Sequence, residues 1–215
     1  MGDEADFYRF MLDQFGCALR VCMPGIIQSF DPVKQTVVVQ PAIIENMIQK
    51  TPDGLGGVVP VPTPTKIKPL QDVPIVLPRG GGFTVTLPIA PGDECIIVFA
   101  DACINAWWAQ GDVQPQEVNR RHDLCDGFAI LGTWSQPRVL SGYVTNAAQL
   151  RTDDGNTAVS VAAGQINMKA TNVVVEGALT VTGDATINTA AVPLDLGIHV
   201  HTGGTIGGLT GPPET

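Results

Sequence analysis

The sequence predicts an all-β protein made of two unlike parts, and three observations point there. Gly (24) and Pro (17) are abundant among the 215 residues, which marks a turn-rich chain still below the roughly 25–30% typical of low-complexity disorder. Short β-branched runs recur between Val21 and Leu131. All the aromatic residues lie between Phe7 and Tyr143, and the last 72 residues contain none. A buried ring covers about 150–250 Å², and small cores are marginal without a few of them. The C-terminal third is therefore not an ordinary monomeric domain.

Composition narrows the function classes. Charged residues are 15% of the chain, and Asp plus Glu outnumber Lys plus Arg by 21 to 12, for a net charge of −9. This acidity argues against a phosphate-binding surface and hence against a nucleic-acid partner. Met1 is followed by Gly-Asp-Glu-Ala-Asp, without the basic and apolar regions of a secretory signal, and no apolar run is long enough to span a bilayer. The expectation is a protein made in a cytoplasm. Cys17, Cys22, Cys95, Cys103 and Cys125 are odd in number with no CxxC pair, so they are expected as reduced, mostly buried thiols.

The elements follow in order. Residues 1–18 form a helix: Phe7, Phe10, Met11 and Phe15 recur at helical spacing, with acids near the start and Gly16 near the end. Its expected role is to dock on the following domain or on a neighbouring subunit. Its polar face lacks the basic residues of a membrane-surface helix.

Residues 19–140 read as a barrel. Val21 to Phe30 is a strand, Pro32-Val33-Lys34 a turn, and Gln35 to Gln40 a β-branched return. Pro52 to Pro64 is too rich in Pro and Gly for a central strand and is expected as a loop or edge. Val73 to Leu77, Phe83 to Leu87, Glu94 to Phe99 and Phe128 to Leu131 complete the set, with Gly80-Gly81-Gly82 and Pro91-Gly92-Asp93 as turns. Such a set of short strands suits a small closed barrel of the OB type.

Residues 141–195 change texture to AVSVAAG, QINMKATN, VVVEG, ALTVTGD and ATINTAA. Val159/Val161, Ile166/Met168, Val173/Val175, Leu179/Val181 and Ala185/Ile187 each place two apolar residues on one face. One such ladder is too narrow to enclose a core, so neighbours must supply the rest. Three copies about a common axis would join these faces into a slim prism, and a narrow prism has no room for rings.

Residues 196–215 close the chain with Gly197-Ile198-His199-Val200-His201-Thr202-Gly203-Gly204 and TIGGLTGPPET. In an extended strand His199 and His201 share a face, with Cα atoms roughly 6.5–7 Å apart. Around a threefold axis they make six imidazoles, an octahedral nitrogen shell. That shell favours a transition metal such as iron, with nickel or cobalt as alternatives, because zinc prefers four ligands and Ca²⁺ or Mg²⁺ prefer oxygen. Spacing alone leaves open a pair of solvent-exposed histidines in a Gly-rich tail.

Other candidate chemistry is thin. His122, Asp123 and Cys125 are neighbours in sequence, which fits a structural turn better than a nucleophile and base. Trp107-Trp108 could stack a sugar or base, but in an acidic chain a packing or subunit contact is preferred. Gly80-Gly81-Gly82 lacks the Lys-Ser/Thr that follows a phosphate loop. No catalytic set emerges, so no enzyme is expected.

The leading helix, the OB-like barrel, the Tyr143-to-Ala191 ladder and the ending His199-Val200-His201-Thr202-Gly203 through Thr210-Gly211-Pro212-Pro213 resemble one known group. It is the central spike, or membrane-piercing, proteins of contractile-tail bacteriophages and R-type bacteriocins, of the kind related to baseplate assembly protein V. The stretch from Arg120-Arg121-His122-Asp123 to Gly127-Phe128-Ala129-Ile130 is also similar to that group. The resemblance implies a barrel followed by a trimeric intertwined β-helix or β-prism spike. It implies a homotrimeric needle at the distal end of the tail, a baseplate hub protein above the barrel, and the host outer membrane as target. It also implies one iron ion per trimer on the threefold axis, held by His199 and His201, with Asp195 or backbone carbonyls as acceptors for the imidazole N–H groups. The competing expectation is a trimeric receptor-binding tail fibre or adhesin that recognises envelope glycan.

Overall fold

The computed structural model describes residues 2–52, 57–183, 186–188 and 193–195, and it divides into two units, 1–139 and 140–215. His199 and His201, and with them the expected tip over 196–215, lie outside the described residues.

In the first unit, α1 (Gly2–Ala18) precedes β1 (Cys22–Asp31) and β2 (Thr36–Pro41). β3 (Ile44–Pro52) and β4 (Val58–Lys66) form a separate ribbon, and β5 (Leu70–Val76) returns to the main sheet. A small hairpin, β6 (Arg79–Gly80) with β7 (Phe83–Thr84), leads to β8 (Glu94–Phe99), α2 (Asn105–Gln110) and β9 (Gly127–Leu131). Five strands close in the order β1-β2-β5-β9-β8, all antiparallel except the β5–β9 pair.

Period-2 alternation builds the core of this barrel. Met23 and Ile27 on β1, Val37 and Val39 on β2, Val73 on β5, Cys95, Ile97 and Phe99 on β8, and Ala129 on β9 are buried together. Gly25 sits among them because nothing larger fits: a Cβ there would lie 2.4 Å from Val39 Cγ1 and 2.8 Å from Ile97 Cδ1. The β1–β2 turn is pinned by Asp31, whose Oδ1 accepts the N–H groups of Val33 (2.9 Å) and Lys34 (3.1 Å). Those bonds, that of Lys34 first, hold the Asp31 carboxyl below its ordinary range.

Several expected elements are corrected. The Pro-rich stretch expected as a loop or edge contains a nine-residue strand, β4, paired along its length with β3. Pro60, Pro62 and Pro64 alternate, so their missing N–H groups all fall on the outer edge, and a two-stranded ribbon tolerates that where a central strand would not. The expected strand from Phe83 to Leu87 shrinks to Phe83–Thr84. The helix α2 interrupts a region read as β throughout. Of the cysteines expected as mostly buried, Cys95 is buried, with its thiol pushed up to about 11 by that burial, whereas Cys22 and Cys125 are exposed. Cys22, Cys95, Cys103 and Cys125 are free thiols.

In the second unit, β10 (Ala147–Arg151), β11 (Ala158–Ala162) and β12 (Gln165–Lys169) form an antiparallel three-stranded sheet. β13 (Thr186–Asn188) and β14 (Pro193–Asp195) make a short separate pair. Residues 171–183, expected to continue the ladder through VVVEG and ALTVTGD, form no strand and are interrupted by bends at Thr171, Gly177 and Thr182-Gly183. Strand hydrogen bonds need a neighbouring strand, and the described part of one chain offers none to this segment. No helix among the described residues is long and apolar enough to cross a membrane.

Candidate assembly surfaces

Register decides what the distal sheet presents. Ala148 pairs with Val161 and Val161 with Ile166, while Leu150 pairs with Val159 and Val159 with Met168. Directly opposed residues share a face, so these six side chains form one apolar surface. The other face carries Gln149, Ser160 and Asn167 in one cross-strand row and Arg151, Ala158 and Lys169 in the next. In a half-buried antiparallel sheet the apolar face meets a core. Here it meets solvent: Leu150 is 65% exposed, Ile166 67% and Met168 64%. Val173, Val175, Leu179 and Val181 farther along are likewise exposed.

The polar face is ordered locally. Arg151 spans the start of the sheet, donating to the carbonyls of Ser141 (3.0 Å), Gly142 (2.7 Å) and Asp153 (2.8 Å). Asp154 caps the β10–β11 turn, accepting from the Asn156 N–H at 3.0 Å, and its carboxyl is held low by the Thr152 hydroxyl first and by Asn156 next. A shallow depression of about 470 Å³ lies on this face, lined by Gln149, Arg151, Ser160, Asn167 and Lys169 among others.

In the first unit the segment between β8 and β9 is held by an ion pair that sequence reasoning missed. Asp126, only 1% exposed, accepts two bonds from Arg120: Nε at 2.9 Å and Nη2 at 2.9 Å. It also accepts the Ile104 N–H at 3.0 Å, just before α2 begins. Burial pushes the Asp126 carboxyl up, but the Arg120 and Ile104 bonds outweigh it and the group stays below its ordinary range. The Asp126 bond also holds the Arg120 guanidinium more firmly protonated. Arg120 Nη2 reaches Cys103 Sγ (3.1 Å) and Asn105 Oδ1 (3.2 Å) as well, tying the segment to the start of α2.

That brace positions the tryptophans. Trp107 stands edge-on to Phe128 of β9, with ring centroids 5.8 Å apart, and Trp108 lies 6.2 Å from Trp107. Both indoles are a little under half exposed. His122, Asp123 and Cys125 make the expected kind of turn: Asp123 accepts the Cys125 N–H at 2.8 Å, and the Asp126 N–H donates to the Asp123 carbonyl at 3.0 Å. The Cys125 thiol is pushed up, chiefly by its bond to Asp123, which makes it a poor nucleophile. Gly80-Gly81-Gly82 turns the β6–β7 hairpin, with Gly81 and Gly82 at positive φ. Among the described residues no three His, Cys, Asp or Glu side chains converge on a metal position.

No curated protein matches the chain. Residues 23–132, which begin in β1 and end just beyond β9, match a family model described as the phage protein Gp138 N-terminal domain. That match spans the closed barrel with its ribbon and its braced segment, and covers just over half of the 215 residues. The chain belongs to the family of phage proteins that carry the Gp138 N-terminal domain.

Proposed function

We propose that this phage structural protein is the central spike at the distal end of a contractile baseplate. In this reading it is a homotrimeric needle that pierces the host outer membrane when the sheath contracts. The observation that carries the reading is the open apolar face of β10–β12, built from medium-sized side chains in a segment without aromatics. Exposed apolar surface on this scale marks an interface. Three such faces about an axis would bury one another in a prism too slim for rings. The five-stranded barrel, read as OB-type, would form the collar beneath a hub protein.

The tip belongs to the same proposal. In a trimer His199 and His201 would supply six imidazole nitrogens, a donor set that suits iron. The ion would join three strands where apolar burial has run out, and metal-ligand bonds would replace it. The tail-fibre reading draws on the polar depression beside Arg151 and Lys169, but that segment has no ring on which a sugar could stack.

Sedimentation of the purified chain tests the architecture, and metal analysis tests the tip. Three chains per particle and about one iron per three chains after dialysis are expected. A monomer would overturn the needle. A trimer without retained transition metal would overturn the tip.

A further inference from the structure

The helix α1 is amphipathic, yet every one of its described side chains is exposed. Phe7, Tyr8, Phe10, Met11, Leu12 and Phe15 are 52–69% exposed, so the barrel does not cover them. At 3.6 residues per turn these six span an arc of about 200°. A seam between two helices needs a narrower stripe, whereas a helix touching two neighbours needs a broad one. The first turn is acidic: Glu4 falls within the apolar stripe, near the N–H groups that favour a carboxylate at a helix start. Arg9 is the sole basic residue of α1, and it lies 3.8 Å from Asp6, so an anionic lipid surface finds no cationic face.

We propose that α1 docks on α1 of the other copies of this chain, forming a parallel three-helix bundle at the N-terminal end. This rests on the trimer reading above. The amount of surface fits: at about 150–250 Å² per ring, the exposed parts of the four rings alone supply roughly 500 Å² per chain. Met11 and Leu12 raise this to roughly 700 Å² per chain, divided between two neighbours, so the bundle adds to the distal contact of the trimer rather than holding it alone. At 17 residues the helix is also near the length at which isolated helices are marginal in water, so its stability requires burial of this face. A threefold axis makes the three helices parallel and presents the same stripe to both neighbours, which the 200° arc matches.

The test is photo-cross-linking of the purified full-length protein carrying p-benzoylphenylalanine in place of Phe10. Joined peptides whose sequences overlap within residues 2–18 must come from two chains, and they are the expected product. Adding Phe7→Ser and Phe15→Ser is expected to lower their yield at least tenfold while the particle still sediments as a trimer. Cross-links from position 10 into the barrel, no cross-link in a trimeric particle, or a yield unchanged by the two serines would overturn the bundle. A monomer by sedimentation would instead overturn the trimer on which it rests.

Discussion

In the barrel every inward side chain meets another from the same chain, so Ile27, Val39 and Ile97 are almost wholly buried. In the sheet β10–β12 the alternation is just as regular, yet Leu150, Ile166 and Met168 face water. Both regions obey the same period-2 rule. The difference is closure: five strands closed into a ring make their own interior, and three strands in an open sheet do not. In the proposed trimer the unfilled face of β10–β12 is the surface for assembly, whereas the filled faces of the barrel complete a core within one chain.

The sharpest way to break that contrast is a pair of matched truncations. Ile97→Ala empties the barrel centre and is expected to cost about 2–5 kcal/mol, read as a denaturant midpoint shift independent of protein concentration. Ile166→Ala removes a side chain that one chain leaves exposed. Its effect is expected only in the concentration-dependent dissociation of the assembly. Equal, concentration-independent losses at both positions would erase the distinction between the two regions.

Next in size is Asp126→Ala, which strips Arg120 of its bidentate partner and leaves the Ile104 N–H unsatisfied. Because Arg120 is a quarter exposed and can rehydrate, the loss is expected at about 2–4 kcal/mol, somewhat under that of a fully buried broken pair. Loosening of α2 should appear as a red shift in tryptophan fluorescence at denaturant concentrations where the barrel is still folded. An unshifted spectrum would show that the brace does not position Trp107 and Trp108. Gly25→Ala is a smaller perturbation, expected at about 1–3 kcal/mol, because Val39 and Ile97 must move to admit a Cβ. A midpoint within error of the parent protein would refute that crowding.

The smallest expected effect is acid sensitivity. The folded Asp126 carboxyl lies below its ordinary range, so it binds a proton less readily than the unfolded side chain near 3.9. Its stabilisation is complete above that unfolded value and is lost as pH falls through the folded one. Asp31, lowered by Lys34 and Val33, and Glu94, lowered by the Ser135 hydroxyl and N–H, have the same sign. Thermal midpoints of the barrel should be flat from pH 7 to 5 and fall below about pH 4, with a flatter fall in Asp126→Ala. A midpoint that rises on acidification would contradict this sign.

Much of the barrel was legible because its strands are short, β-branched and separated by turn residues. The β1–β2 hairpin and β8 stand close to where alternation places them. The ribbon strand β4 was obscured because proline forbids a central strand but not the outer edge of a two-stranded one. The helix α2 was hidden by its six-residue length, too short for a periodic signal. The Arg120–Asp126 brace left only one weak trace, a charged residue immediately before the apolar run Gly127 to Leu131. Its pairing is spatial, so spacing could not reveal it.

By itself the sequence determined which residues share a face, since strand periodicity is a local property of the backbone. It also determined that the last 72 residues cannot fill a wide core, since a missing ring cannot be supplied by folding. Only the tertiary structure decided which faces are covered. Closure of β1, β2, β5, β9 and β8 buries one set of alternating residues, and the open sheet β10–β12 exposes another with the same pattern. The physical reason is that burial depends on what lies opposite a face, and that is set by curvature and by neighbours rather than by the order of residues along a strand.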